Sequence, residues 1–567
     1  VAFAVEDVFQ GKGIGAHLLE RLALLAVRNG FMRFMATTQS SNEPMLELFR
    51  SSGFKVHEKR EGGFVQVDFS VIPTKESFDR SEMLDRVVTA ASLRPFFKPK
   101  SVAVVGASRE PGSLGYQIVH NLVNTGFKGE VYPINPHADL IDNVRAYHEI
   151  GKVPVPVDLA IIVVPARYVL EVVEDCALHG VRAVVVITAG FAEVSPAGID
   201  IQKKLVEIVR AHGMRLIGPN CMGLMNTDPD VRLNASFSFV YPPHGRIAMS
   251  SQSGALGLAV LEFAEQKSLG LSTFVSVGNK ADVSGNDLLQ YWEEDPGTDV
   301  ILLYLESFGN PRRFARIARR VSRSKPIVAV KSGRTKAGSR AAGSHTAAMM
   351  ASDTAVEALF QQTGVIRANA LEEMFDLAFA LGSQPLPKGR RVGIITNAGG
   401  PGILCADTCE AKQLIVGEFS ESTRARLEEF LPPAASTANP VDMIASATPD
   451  QYRKTVELLL KAPEVDSLII IYVPVIRNLD PVLEAIRHGV GAARQDGGKE
   501  KPVFACFMTE KGNTRIELPK ESIPTYLFPE SAAHVLAKVA RYAEWKKQPP
   551  GFMPDFEDMH LEQARQV

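Results

Sequence analysis

His345 lies in KSGRTKAGSRAAGSHTAAMMAS, a basic stretch rich in Gly, Ala and Ser between the apolar run KPIVAVKSG and the helix-like SDTAVEALFQQ. A lone histidine is usually structural. On such a loop, however, a neutral imidazole suits a nucleophile that takes up a phosphoryl group and passes it on. A nucleophile of this kind needs its ring oriented by an acid. Glu306, at the carboxyl end of the apolar run ILLYLES, is the candidate; its plain alternative is a solvated strand-end glutamate.

Four glycine-rich turns each stand between a strand-like run and a helix-like one. There, free backbone N–H groups and the helix start favour an anion. QGKGIG (10–15) precedes AHLLERLALLAVRNG, and VVGASREPGSLG (104–115) precedes YQIVHNLVNTG. SSQSGALG (250–257) and NAGGPG (397–402) open two further helices. The last two turns, through Ser251, Gln252, Ser253 and Gly254 and through Ala398, Gly399, Gly400 and Gly402, are expected to cradle one dianion between two helix starts. Each start carries roughly half a positive charge, which suits a phosphorylated side chain. A free nucleotide fits less well, because there is no Walker lysine motif. The plain alternative for any one of these glycines is close packing of helix on strand.

These turns must be positioned by a scaffold, and the pattern around them reads as α/β. SVAVVGA, VDLAIIVVP, RAVVVITAG, RIAMSS, STFVSVG, DVILLYLES, KPIVAVKSG, RVGIITNAGG, SLIIIYVP and KPVFACFM recur between amphipathic stretches of helical length. Near-continuous apolar strands alternating with helices signal parallel sheets covered on both faces, with ligands beyond the carboxyl ends of the strands. The expected division is a short α/β piece at 1–75, a linker at 76–94, and three α/β domains at 95–225, 226–385 and 386–546. A charged, Pro-bearing linker follows at 547–567. At 567 residues, three to five domains are expected from about 100–200 residues each.

Hydrophobic residues make up 46% and charged residues 22%, which excludes a disordered or collagen-like chain. A net charge of −2 gives no general reason to bind nucleic acid. No apolar run approaches the ~18 residues of a membrane span. Cys176, Cys221, Cys405, Cys409 and Cys506 are too few for a disulfide scaffold and are expected as small buried hydrophobes; no metal site is expected. The opening VAFAV is no signal peptide, so a cytoplasmic location is expected, and a start at Val1 suggests a missing N-terminus.

Three family resemblances gather these motifs. FAVEDVFQGKGIGAHLL, with Asn42, Met45 and Gly53-Phe54, resembles the central motif of the GNAT acetyltransferases over the second half of such a domain. It implies an acetyl-CoA pyrophosphate site at Gln10, Gly13 and Gly15. VVGASREPGSLG, VVPA (163–166), ITAGFAE (187–193) and GPNCMG (218–223) resemble the CoA-binding domain of succinyl-CoA synthetases. This implies CoA contacts at Ser108, Ser113, Gly115, Pro136, Pro165 and Gly190. The strand EVYPINP ends in Asn135-Pro136 where a dinucleotide enzyme places an acid, which argues against a nicotinamide dehydrogenase.

GSHTAAMMASD, with KSGR before it, QTGVIRANALEEMFDLA after it and NPVD at 439–442, resembles the NDP-forming acyl-CoA synthetases, the ADP-forming acetate–CoA ligases, over residues 93–546. The resemblance implies a partial GNAT domain, a Rossmann-like CoA-binding domain and two flavodoxin-like domains. His345 would be the phosphohistidine and Glu306 its orienting acid. Acyl-CoA and phosphate would be the small-molecule substrates, interconverted with acid, CoA and ATP. No ATP-grasp domain occurs in the 567 residues, so ADP, ATP and magnesium are expected only through a partner domain or subunit, and an oligomer is expected. The loop reads SHTA where SHTG is commoner, which leaves its chemistry intact. The alternatives are a GNAT acetyltransferase of protein lysines regulated by a CoA-sensing body, and a non-catalytic CoA scaffold. Retention of His345 favours the synthetase, because relatives built as sensors have often lost it.

Overall fold

A computed structural model describes residues 14–29, 31–71, 75–335, 337–338, 340, 352–474, 478–495, 501–509, 515–519 and 521–549. Gln10, Gly13 and His345 lie outside the described residues. The chain divides into two compact units, Val1–Ser92 and Leu93–Val567.

In the first unit, β1 (Arg33–Gln39), β2 (Val56–Glu61) and β3 (Phe64–Ser70) form an antiparallel sheet in the order β1-β3-β2. Along β3 the side chains alternate between faces, burying Val65, Val67 and Phe69 against Leu19 and Ala23 of the helix Ile14–Arg28 and Leu46 and Phe49 of the helix Glu43–Arg50. The shorter helix starts where Asn42 accepts from the Met45 N–H at 3.2 Å and Pro44 follows. The helix Lys75–Phe97 occupies most of the expected linker, and Leu93, Phe96 and Phe97 are buried in the second unit.

Among its described residues the second unit holds three large sheets and two small hairpins. The first comprises β4 (Ser101–Val105), β5 (Glu130–Ile134), β8 (Leu159–Ile162), β9 (Ala183–Val186) and β10 (Arg215–Ile217), all parallel in the order β10-β9-β8-β4-β5. A small hairpin, β6 (Leu140–Ile141) and β7 (Val144–Arg145), follows β5. β4 is buried along its whole length, as both-face coverage by helices requires.

The second sheet runs β12-β11-β14-β13-β15-β16-β17. Its strands are β11 (Gly223–Asn226), β12 (Leu233–Ser236), β13 (His244–Ser251), β14 (Leu271–Ser276), β15 (Val300–Leu305), β16 (Ile327–Lys331) and β17 (Ile366–Ala368). β13 to β17 are mutually parallel, but β11 pairs antiparallel with both β12 and β14. This differs from a purely parallel sheet. The chain enters the second sheet directly after GPNCMG, so a boundary at residue 225 falls inside β11.

The third sheet is β18 (Val392–Thr396), β19 (Val441–Asp442), β20 (Ser467–Tyr472), β21 (Val503–Phe507) and β24 (Thr525–Tyr526), parallel in the order β19-β18-β20-β21-β24, with a hairpin of β22 (Ile516–Glu517) and β23 (Ser522–Ile523) beside it. One apolar cluster unites the second and third sheets through the helix Pro529–Lys547. All five cysteines are buried and free. Among the described residues no helix is long and apolar enough to cross a membrane.

Candidate active site

The parallel strands of each of the three large sheets reverse their winding once. After β4 the chain adds β5 on one side and then crosses to β8 on the other; β13, β14 and β15 do the same, as do β18, β19 and β20. The crevice beyond the carboxyl ends of the two strands at such a reversal is where open α/β sheets bind ligands. All three turns predicted in this unit begin there, after β4, β13 and β18.

At the first sheet, Ser108, Ser113, Pro136, Pro165 and Gly190 all follow the carboxyl ends of β4, β5, β8 and β9. Gly106 sits at φ +90°, and a Cβ there would approach the Val163 carbonyl carbon to 3.0 Å. Ser113 caps the helix Leu114–Asn124 by accepting from the Tyr116 N–H at 3.2 Å. Gly115 is buried, and a Cβ on it would lie 2.3 Å from the Gly106 carbonyl oxygen. The absence of a side chain there lets the helix start seat on the turn. At the turn after β9 the Glu193 carboxylate accepts from the N–H groups of Gly190 (2.6 Å) and Phe191 (3.2 Å). Those bonds, with one from Asn279, hold its pKa below the ordinary glutamate value against the opposing effect of burial. The Gly190 N–H is thus engaged within the protein. The exposed Pro136 and Pro165 rims and the half-buried Ser108 remain as surface for a ligand such as CoA.

At the second sheet, Ser251 is fully buried and donates to the Ser253 carbonyl (2.7 Å), while Ser253 caps the helix Gly254–Gln266 at Leu256 N. The N–H groups of Gly254 and Ala255, in the first turn, have no intrahelical partner. Gln252 was expected to cradle phosphate, but its side chain does something else. Its Oε1 accepts from the backbone N–H groups of both Glu306 (2.6 Å) and Ser307 (2.9 Å), across the reversal from β13 to β15. The Glu306 backbone is fixed, whereas its half-buried carboxylate has no hydrogen-bond partner among the described residues. Lys280, four residues past β14, and Lys331, the last residue of β16, stand on either side of this edge, and burial lowers the pKa of both. Neither was anticipated from the sequence. The chain leaves this edge at Lys331 and returns at the helix Asp353–Thr363, with His345 between.

At the third sheet, Asn397 bridges the reversal from β18 to β20, its side chain donating to the Val473 carbonyl (2.9 Å) and accepting from the Val473 N–H (2.8 Å). Ala398 caps the helix Gly399–Ala411 without a side-chain bond, and Thr396 Oγ1 accepts from its N–H (3.0 Å). Gly399 and Gly400 are exposed. Pro401 brings no N–H, so these two glycines supply the free donors of this helix start. Gly402 is buried against Thr396 and serves packing. In the first unit, Gly15 lies in the opening turn of its helix with room for a side chain, 3.5 Å from Leu48.

Two cavities, about 650 Å³ around Asp376 and Tyr526 and about 770 Å³ around Arg367 and Trp545, are lined by none of the predicted residues. Reactive chemistry is better sought at the sheet reversals, where the turns converge.

Comparisons with known proteins agree with this assembly. The chain matches the CoA binding domain at residues 100–227, the succinyl-CoA ligase-like flavodoxin domain at 244–381 and the ligase-CoA domain at 392–544. Residues 1–54 match the acetyltransferase (GNAT) family. It is 43% identical over 454 residues to subunit alpha of the ADP-forming acetate–CoA ligase II of Pyrococcus furiosus, covering 79% of this chain and 97% of that subunit. It is 37% identical to the ADP-forming 4-hydroxybutyrate–CoA ligase of Nitrosopumilus maritimus, spanning 82% of this chain but 66% of that longer protein. The solved dinucleotide-forming acetyl-coenzyme A synthetase 1 of Ca. Korarchaeum cryptofilum, in complex with phosphate and ADP, superposes with a TM-score of 0.74 at 38% identity, covering 80% of this chain and 97% of that one. The chain is thus a member of the ADP-forming acetate–CoA ligase family, with the domains of its alpha subunits and a GNAT-like segment ahead of them.

Proposed function

We propose that this chain is the CoA-binding and phosphoryl-relay part of an ADP-forming acyl-CoA ligase. The observation that carries the reading is Glu306, whose backbone N–H is held by Gln252 at the reversal of the second sheet and whose carboxylate is free of hydrogen-bond partners among the described residues. It is available to the imidazole of His345, whose loop leaves the same edge.

In the direction of ATP formation, a phosphate oxygen attacks the thioester carbonyl of an acyl-CoA. The C–S bond breaks, and the thiol leaves with the phosphate's proton, giving an acyl phosphate. An imidazole nitrogen of His345 then attacks phosphorus, the P–O bond to the acyl group breaks, and the acid departs as a carboxylate. Glu306 accepts the other ring N–H, which keeps the attacking nitrogen unprotonated and stabilises the charged phosphoimidazole. The N–H groups at the helix starts of Gly254 and Gly399 offer donors to the phosphoryl oxygens. CoA would lie along Ser108, Ser113, Pro136 and Pro165. ADP and magnesium belong to an ATP-grasp domain supplied by a partner subunit, and the likeness to alpha subunits supports such a partner. An oligomer in a cytoplasmic setting completes the reading.

The test incubates the purified chain with acetyl-CoA, a panel of other acyl-CoAs and radiolabelled phosphate. Acid-labile, base-stable label on the protein is expected, and His345→Ala should abolish it while CoA still binds. No label with any acyl-CoA, despite measurable CoA binding, would overturn the proposal. The match of residues 1–54 to the GNAT family supports a second activity, acetyl transfer from acetyl-CoA to a protein lysine. Transfer of labelled acetyl groups to lysine peptides tests it separately.

A further inference from the structure

One short segment after β14 grips the turns on both sides of the proposed reaction. Gly278 and Lys280 both take positive φ, +51° and +53°, which an L-residue such as lysine rarely adopts. The strain is held in place by backbone bonds to GPNCMG: Asn279 N–H donates to the Pro219 carbonyl (3.0 Å) and Ala281 N–H to the Gly218 carbonyl (3.1 Å). A Cβ at Gly278 would lie 2.3 Å from the carbonyl oxygens of Pro219 and Asn220.

Two adjacent side chains then point to different turns. The Asn279 amide donates to Glu193 Oε2 (2.5 Å) and Gln202 Oε1 (2.9 Å), and Glu193 in turn clasps the Gly190–Phe191 turn of the CoA-side sheet. The Lys280 ammonium donates to the Ser307 carbonyl (2.8 Å) and hydroxyl (2.6 Å), directly beside Glu306. It borders a cavity of about 10 Å³ lined in part by Val277, Leu305, Phe308 and Phe314. So little water can solvate an ammonium there that its bonds to Ser307 matter more than they would on the surface.

We infer that Asn279 and Lys280 are positioning residues for the acyl-CoA reaction. Gln252 holds the Ser307 N–H and Lys280 the Ser307 carbonyl, so the two clamp the backbone of this residue and fix the direction of Glu306, while Asn279 fixes the CoA-side turn to the same segment. The inference rests on the function proposed above. A lysine placed here to stabilise the fold would act on both halves of the site together. A positioning lysine instead separates them.

The experiment compares Lys280→Met, Lys280→Arg and Asn279→Ala with the wild-type chain. The rate of phosphate incorporation from acetyl-CoA is set against the CoA dissociation constant. Removing two charge-assisted bonds predicts a roughly 10- to 100-fold slower rate for Lys280→Met, with CoA affinity within about threefold of wild type. Lys280→Arg should recover part of the rate. Asn279→Ala should show the opposite split, weakening CoA binding more than it slows labelling. The groups facing Lys280 are Glu306, one residue past β15, and Lys331 on β16, and burial brings its pKa to about 8. The wild-type rate should therefore fall above about pH 8, and Lys280→Arg should shift that fall upward. Parallel losses of rate and affinity in Lys280→Met, an unchanged rate, or no rescue by arginine would overturn the inference while wild-type labelling stands. Absence of label in the wild-type chain would remove the proposed function and this inference together.

Discussion

Replacing Gly115 by alanine adds one methyl group where the structure has no room for it. The new Cβ would lie 2.3 Å from the Gly106 carbonyl oxygen, 3.1 Å from Ala107 Cα and 3.2 Å from the Gly106 carbonyl carbon. An ordinary carbon–oxygen contact needs about 1 Å more than the shortest of these. The turn cannot retreat, because Gly106 is already wedged against Val163 and Val164 and its N–H is tied to the Ile134 carbonyl at 3.1 Å. The helix must move instead, against the fully buried Ile118, Val119 and Leu122 and the Ser113 cap. Forced overpacking of this kind costs about 1–3 kcal/mol. A shift of the turn that shapes the CoA surface is expected to weaken CoA by about tenfold, corresponding to ~1.4 kcal/mol. Gly112→Ala is the control, since nothing lies within 4 Å of its added Cβ. Urea unfolding and calorimetric titration with CoA read the two effects. Wild-type stability and affinity in Gly115→Ala, or equal damage from Gly112→Ala, would refute the packing argument.

Gln252→Leu should leave the N–H groups of Glu306 and Ser307 without their acceptor, at about 1–3 kcal/mol for each group that stays dry, and should slow phosphate labelling; wild-type labelling would show that another group orients Glu306. Burial, reinforced by neighbouring Glu372, raises the Asp376 carboxyl from 3.8 to about 7. A raised carboxyl pKa means that the native state holds its proton more tightly, so this stabilising contribution is present below pH 3.8 and lost as pH rises through about 7. At ~1.4 kcal/mol per unit, reduced by about half for partial solvation, Asp376→Asn should stabilise the chain by ~2 kcal/mol at pH 8 relative to pH 4. A difference in melting temperature that does not vary with pH would refute it.

The strands were legible because parallel sheets covered on both faces leave a strong trace: SVAVV, AVVV and SLIIIY are buried at every position, and each forms the strand its apolar run predicts. The antiparallel pair β11 and β12 was missed. GLMN and LNAS are four residues each, include two buried asparagines, and gain their burial from the neighbouring sheet rather than from local pattern. Asn226 satisfies its amide by donating to the Phe97 carbonyl at 2.7 Å, a partner 129 residues away. No local period records such a bond.

The same distinction separates the two kinds of residue in the candidate site. Turns that offer backbone N–H groups are written locally, as glycines and small residues between a strand and a helix, so all the predicted turns of the second unit lie at strand ends. Residues that hold those turns in place act at a distance. Gln252 reaches the Glu306 N–H 54 residues on, Lys280 reaches Ser307 across 27, and Asn279 reaches Glu193 across 86. Their residue types are ordinary, and their spacing is set by the lengths of intervening helices rather than by chemistry. What joins them is topology: a sheet that reverses its winding brings two non-consecutive strand ends side by side, and a side chain from one can then take the backbone groups of the other. That geometry occurs at the reversal of the second sheet through Gln252 and at the third through Asn397, where the bridging partner is Val473, 76 residues away. At these two reversals the bridging amide stands one residue past the strand that precedes the phosphate-type turn, whereas at the reversal of the first sheet that position is Gly106 and the bridge is its backbone N–H to the Ile134 carbonyl, so winding supplies the opportunity for the bridge and the residue type decides what makes it.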